Sequence, residues 1–263
     1  MKVNVLYKLT SSLPFSVSYS NQHPDFSLSR TTNYLHLTMA SITGPTPSQH
    51  PSKKLVEQSY DIVASTYLEW TTSTSSARED YMERLIPLLP TSPRPKILEL
   101  GCGSGKTSTE YLSQHADVTA NDISSAQLAL AKQHAPSATL IHTDMMSLSF
   151  PPESFDAVVA FFSIVHLPRD EQVELFKRMR GWVKEGGYFI GNLATANIEE
   201  IKGDFLGEPM FWSGWDEAKS REMIESAGWK IVKGEVIEQL EAGVGGGEDR
   251  NVPFLWIVGR KQV

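Results

Sequence analysis

Only one cysteine, Cys102, occurs among the 263 residues of this chain. A lone cysteine closes no internal disulfide and leaves no cysteine cluster for a structural zinc site. No run comes near the roughly 18 apolar residues that a membrane-spanning helix needs. No spacing of His, Asp and Glu suggests a catalytic metal. Positive charge is also short: 24 Lys and Arg face 31 Asp and Glu, a formal net charge of −7. That balance argues against a protein that grips a nucleic-acid backbone, which needs a basic surface. A reducing compartment, most simply the cytoplasm, is the expectation. Composition leaves the oligomeric state open.

The charge that is present is unevenly placed. Residues 1–51 hold Lys2, Lys8 and Arg30 against Asp25, a surplus of +2 that leaves −9 for the rest. This segment is rich in Ser, Thr and Pro and lacks helical or alternating periodicity, so it is expected to be disordered, or to be an extension ahead of a start at Met39. A secretory signal is not expected, since no apolar block of ~7–15 residues follows Lys2. A mitochondrial transit peptide is the alternative. The scarcity of acids favours it and the single arginine counts against it.

Folded structure is expected over 52–263. Leu55, Tyr60, Ile62, Val63 and Tyr67 give a helix from about Ser52, ended by the polar run Thr71–Ser76. A second helix follows over Ala77–Leu89, stopped by Pro90 and Pro93. From Lys96 short apolar runs alternate with helical patterns. Strands are expected at Ile97–Leu100, Val118–Ala120, Thr139–His142, Phe155–Phe162 and Tyr188–Leu193. Helices are expected at Thr107–His115, Ser124–His134 and Asp170–Val183. After an irregular stretch come a helix at Asp216–Ala227, capped by Gly228, and strands at Trp229–Glu238 and Phe254–Arg260, joined by a flexible Gly-rich connection over Glu241–Asn251. Such alternation means an α/β fold with a mostly parallel sheet, and the last two strands, with no helix between them, pair antiparallel.

The segment Ile97-Leu98-Glu99-Leu100-Gly101-Cys102-Gly103-Ser104-Gly105 carries the most information. It reads as strand, tight glycine turn, helix start, with missing side chains that let a ligand approach the backbone. A dinucleotide loop needs G-x-G-x-x-G, and its third glycine position is Lys106. A phosphate loop ending at Gly105-Lys106-Thr107 needs a glycine where Leu100 stands. Asp122 and Asp144 each follow a strand end, where open α/β sheets bind ligands. Asp122 can accept both hydroxyls of a ribose, or cap the helix that starts at Ser124. Asp144 can equally be a solvated turn acid.

This order of motifs resembles the class I S-adenosylmethionine-dependent methyltransferases over roughly residues 55–260, most nearly the small-molecule enzymes of the ubiquinone-biosynthesis-like group. The resemblance implies a Rossmann-like, doubly wound, seven-stranded sheet, mostly parallel with the last strand antiparallel, under an N-terminal helical lid. It implies S-adenosylmethionine as cofactor and a small-molecule acceptor methylated on O, N or S. In that family the backbone at Gly101, Gly103 and Gly105 packs on the methionine and ribose part. Glu99 would face the methionine ammonium, directly or through water, Asp122 the ribose and Asp144 the adenine amine, with Met145 on the ring and Phe161 beside the methionine. Tyr60 and Tyr67, in Tyr60-Asp61-Ile62-Val63-Ala64-Ser65-Thr66-Tyr67, resemble a Y-D-x-x-A-x-x-Y lid, or are ordinary packing of an amphipathic helix.

His166, just past the fourth strand, is the candidate general base, or a structural histidine before Pro168. Met210, Phe211, Trp212 and Trp215 suit an apolar or aromatic acceptor pocket, or fill a gap in the core. No N-P-P-Y-like run follows the fourth strand, and no cysteine lies there to attack a pyrimidine, so nucleobase and glutamine acceptors lose ground. Two other readings stay open: a binding protein that keeps the cofactor site without transfer, and a nicotinamide oxidoreductase.

Overall fold

The computed structural model describes residues 50–241 and 250–262. The expected unstructured segment up to residue 49, with Met39, lies outside them, as do residues 242–249 of the Gly-rich connection.

The first helix, α1 (Pro51–Ser73), opens with Pro51 in its first turn and the His50 side chain accepting from the Ser52 N–H. It runs through Thr71–Ser73, where a break was expected. There the Thr71 and Thr72 hydroxyls donate back to the Tyr67 and Leu68 carbonyls, so those polar side chains bond within the helix instead of ending it. Helix α2 (Arg78–Leu85) follows and tightens into a 3-10 turn over Ile86–Leu88.

The sheet then begins with β1 (Lys96–Leu100), α3 (Thr109–His115), β2 (Asp117–Asp122), α4 (Ser125–His134), β3 (Thr139–His142), β4 (Phe155–Ala160), α5 (Arg169–Trp182) and β5 (Val183–Ala194). A hairpin of β6 (Ile198–Phe205) and β7 (Glu208–Gly214) comes next, and α6 (Glu217–Ser226), β8 (Trp229–Glu241) and β9 (Arg250–Lys261) complete the fold. Seven strands pair in the order β3-β2-β1-β4-β5-β9-β8, all parallel up to β5, with β9 antiparallel to both β5 and β8. The doubly wound α/β architecture is as expected.

Strand alternation builds a core on each face of this sheet. Ile97 and Val159 point into one cluster with Leu112 of α3, Ala131 of α4 and Leu85 of α2. Leu98, Leu100 and Val158 point into the other with Phe176 of α5, Ile224 of α6 and Trp229. All six residues of β4 are buried, as befits a strand covered on both faces.

The stretch after β5 is not irregular. Beta6 and β7 pair antiparallel across a two-residue turn, Leu206-Gly207, with both residues at positive φ (55° and 90°). Such turns are normally announced by Asn-Gly or Asp-Gly. Leu206 at the first position hides the signal. Met210 and Phe211 of the hairpin pack with Val56 of α1 in a third, smaller core, which seats α1 beside the C-terminal ends of the strands.

Candidate active site

The strand order reverses between β1 and β4, and a crevice opens there beyond the strand ends. Beta1 feeds the glycine turn. Gly101 and Cys102 both donate their N–H to the Asn121 carbonyl at 2.9 Å, which folds the turn onto β2. Gly101 holds φ +69°, and a Cβ there would lie 2.4 Å from the Cβ of Ser163. Gly103, at φ +56°, is less crowded, since an added Cβ would only come into ordinary contact with Gln127 at 3.8 Å and Tyr67 at 4.0 Å.

Asp122 ends β2 and divides its carboxylate: Oδ2 accepts from the Gly103 N–H (2.8 Å) and Oδ1 from the Ser124 N–H (2.9 Å). Burial raises its pKa despite these donors. Ser124, not Asp122, caps α4, accepting from the Gln127 N–H. Asp144 lies just past β3, with Oδ1 accepting from the Met146 N–H (2.9 Å) and Oδ2 from the Lys53 ammonium (2.6 Å). After β4, Phe162 turns the chain at φ +53°, its N–H held by the Asn192 side chain at 2.7 Å.

These groups line one cavity that opens to solvent at its mouth. Tyr60, Tyr67, Gly101, Gly103, Asp122, Asp144, Met145, Phe161 and His166 all line it. Helix α1 covers it and is pinned at several points. The Ser59 hydroxyl donates to the Pro209 carbonyl. Asp61 Oδ1 accepts from the Ser124 hydroxyl (2.6 Å) and the Ala126 N–H (3.0 Å) at the start of α4, where a helix N-terminus favours an anion. Burial pushes the Asp61 pKa up, but these donors outweigh it and the net shift is downward.

The His166 ring is fixed from both sides. Its Nδ1 lies 2.8 Å from the Phe211 carbonyl, which can only accept, so Nδ1 carries the hydrogen. Nε2 is therefore the lone pair, and it accepts from the Tyr60 hydroxyl at 3.0 Å. Burial lowers the His166 pKa to about 4 and raises those of Tyr60, well above its ordinary value, and Tyr67, to about 12. All three side chains are therefore uncharged near neutral pH.

Six of the expected residues do not line the cavity. Glu99 follows Ile97 on the sheet face toward α3, and its carboxylate is taken by the hydroxyls of Ser108 and Thr109. It holds the turn from behind. Gly105 packs against α4, where a Cβ would lie 3.1 Å from Ala131. Met210 and Phe211 are core residues, 0% and 1% exposed. Trp215 carries the Arg169 guanidinium over its ring at 4.1 Å. The Trp212 ring centroid lies 6.1 Å from that of His166. Met210 and Phe211 thus fill the hairpin's own core, packed with Val56 of α1 and Phe205 of β6.

The cavity also holds Lys53, Arg78, Asn121 and Gln127, which the motif reading missed. Lys53, Val56, Tyr60, Val63 and Tyr67 recur at three- and four-residue steps along α1, so a lysine inside an apolar stripe was the available signal. The Arg78 guanidinium donates to the Thr107 hydroxyl at 2.5 Å and lies 5.3 Å from the Phe162 ring centroid, with Nε unpartnered. Both polar atoms of the Gln127 carboxamide, and Oδ1 of Asn121, are buried without a partner. Among the described residues no group of His, Cys, Asp and Glu could hold a metal ion, and no helix is long and apolar enough to cross a membrane.

Residues 97–187 match a family described as a methyltransferase domain. A sterol 24-C-methyltransferase of Gibberella zeae is 31% identical over 139 residues, covering 50% of this chain and 35% of that protein. A demethylmenaquinone methyltransferase of Chlamydia pneumoniae is 31% identical over 128 residues, covering 47% of this chain and 53% of that protein. The chain thus spans about half or less of the length of these curated relatives. Among solved structures, the Burkholderia thailandensis 1,6-didemethyltoxoflavin-N1-methyltransferase, with 1,6-didemethyltoxoflavin and S-adenosylhomocysteine bound, superposes with a TM-score of 0.59 at 17% identity. That match covers 83% of this chain and 93% of the other, and it speaks for the fold.

Proposed function

We propose that this chain, which belongs to the class I S-adenosylmethionine-dependent methyltransferases by its domain 97–187 and its fold, transfers a methyl group to a small organic acceptor that bears a dissociable proton. The observation that carries this reading is the convergence of the glycine turn, Asp122, Asp144 and His166 on one cavity.

The residues present suit the cofactor. S-adenosylmethionine, when bound, supplies a methyl group on a positively charged sulfur that an acceptor lone pair can displace. Asp122 has used one lone pair on each oxygen and keeps others for a ribose diol. The unpartnered Gln127 carboxamide offers a further donor and acceptor beside it. Arg78, a cation with a spare Nε–H, suits the methionine carboxylate. The missing Cβ of Gly103 leaves room along the turn.

His166 suits proton removal. Its Nδ1–H is held by the Phe211 carbonyl, so Nε2 stays a base. A base with a pKa near 4 is weak, which fits a proton that leaves late. An acceptor oxygen becomes strongly acidic as its new carbon bond forms, so a weak but correctly placed base suffices. Tyr60, already on Nε2, can relay that proton or give up its place to the acceptor. Val56, Phe161 and Leu167 give the same cavity an apolar stretch, which suits an uncharged acceptor body.

Calorimetric titration with S-adenosylhomocysteine, followed by incubation of methyl-labelled S-adenosylmethionine with matched phenols, alcohols, thiols and amines, tests this. Binding and label transfer to a hydroxyl or thiol member are expected. Binding without transfer across the panel would leave a cofactor-binding protein. Stabilisation by NAD(H) rather than S-adenosylhomocysteine would mark a nicotinamide enzyme and overturn the reading.

A further inference from the structure

The adenine end of the cavity is already engaged by the protein itself. Lys53, in the first turn of α1, is 5% exposed. Its ammonium lies 2.6 Å from Asp144 Oδ2 and 2.8 Å from Glu171 Oε2 of α5. Asp144 Oδ1 is held by the Met146 N–H. Each oxygen of Asp144 thus has a partner before any ligand arrives, as each oxygen of Asp122 does, but the one on Oδ2 is a buried cation, which neutralises the carboxylate and weakens it as an acceptor for an adenine amine.

We propose that Lys53 is a bolt on the cofactor cavity: it fastens α1 over the cavity through Asp144 and Glu171, and it competes with the exocyclic amine of an incoming adenine for Asp144. The proposal rests on the cofactor reading above. Two features support competition over simple lid packing. A buried ammonium with one carboxylate could not release it without being stranded, which is strongly unfavourable. Glu171 removes that obstacle, because Lys53 can swing wholly onto it while Asp144 turns to the adenine. Lysine also suits the exchange, as a point charge on a flexible stem with three donors and no fixed fork geometry. The other fastenings of α1, Ser59 on Pro209 and Asp61 on the start of α4, do not involve Asp144. The lid thus stays seated while the bolt is exchanged.

The two carboxylates predict opposite effects when the triad is altered. Lys53→Met keeps the apolar stem and removes the competitor, so S-adenosylhomocysteine should bind more tightly, by about tenfold for one charge-assisted hydrogen bond. Glu171→Gln deprives Lys53 of its second carboxylate, so the bolt holds Asp144 harder and S-adenosylhomocysteine should bind more weakly. A ligand comparison isolates the amine. Adenosine and purine riboside, which lacks that amine, should bind the wild type within a few-fold of each other, and the preference for adenosine should grow about tenfold in Lys53→Met.

The test is calorimetric titration of all three ligands into wild type, Lys53→Met and Glu171→Gln, with circular dichroism confirming that each variant is folded. Equal or weaker S-adenosylhomocysteine binding by folded Lys53→Met, or an unchanged preference for adenosine, overturns the bolt. If Lys53→Met does not fold, tighter or unchanged binding by Glu171→Gln overturns it alone. A wild type that binds no S-adenosylhomocysteine overturns the cofactor reading, and with it this proposal.

Discussion

Gly101→Ala is expected to destabilise the domain by about 1–4.6 kcal/mol. The new methyl group would sit 2.4 Å from the Ser163 Cβ, and the residue would keep φ near +69°. A left-handed backbone costs an L-residue about 1–2 kcal/mol, and forcing a methyl into a packed site costs about 1–3 kcal/mol. The smaller entropy of the unfolded alanine chain returns about 0.4–1 kcal/mol. For a domain of this size the net loss lowers the thermal midpoint by roughly 2–18 °C. The two costs separate in a double-mutant cycle. Ser163→Gly removes the clashing Cβ, along with a hydroxyl that donates to the Leu100 carbonyl at 2.7 Å. In the double variant the packing cost vanishes and the backbone cost stays, so the cycle should return a favourable coupling of at least about 1 kcal/mol. Urea denaturation of the four proteins measures it. Strictly additive losses would refute the close approach of the turn to Ser163, and no loss in Gly101→Ala would refute the whole account.

Glu99 predicts a pH dependence. Burial raises its pKa from 4.5 to about 7, against the pull of the Ser108 and Thr109 hydroxyls. The folded state therefore holds this proton more tightly than the unfolded state, so its contribution to stability is full below pH ~4.5 and is lost as pH rises through ~7, about 3 kcal/mol in all. Glu99→Gln should flatten that slope in denaturant titrations, and an unchanged slope would clear Glu99. His166 should titrate near pH 4, and its nitrogen NMR shifts should report hydrogen on Nδ1; titration near 6.5, or hydrogen on Nε2, contradicts the geometry. Asp122→Asn should weaken S-adenosylhomocysteine about tenfold or more while the domain stays folded, and unchanged affinity removes Asp122 from the ribose role.

The site was legible where it depends on chain order alone. Asp122 and Asp144 each follow a strand, and parallel strands bring all their C-terminal ends to one edge, so neighbours there need no further information. Gly101 and Gly103 were legible because a turn that tight admits little else. Glu99 lies outside the cavity for an instructive reason. Alternation turns it to the face of Ile97, but what waits on that face, the hydroxyls of Ser108 and Thr109, depends on how α3 packs. The aromatic run at 210–215 failed likewise. Composition announced an apolar surface, and only the pairing of β6 with β7 decided that Met210 and Phe211 face inward.

By itself the sequence determined the α/β alternation, the glycine turn and the acids at or just past the ends of β2 and β3, since each is a local pattern of residue types over a few positions. The tertiary structure alone decided how α1 sits over the cavity, which nitrogen of His166 keeps its lone pair, and that Lys53 reaches Asp144, 91 residues away. These are contacts between distant segments. Their partners are chosen by packing, burial and charge once the chain has closed on itself, and no local pattern encodes them.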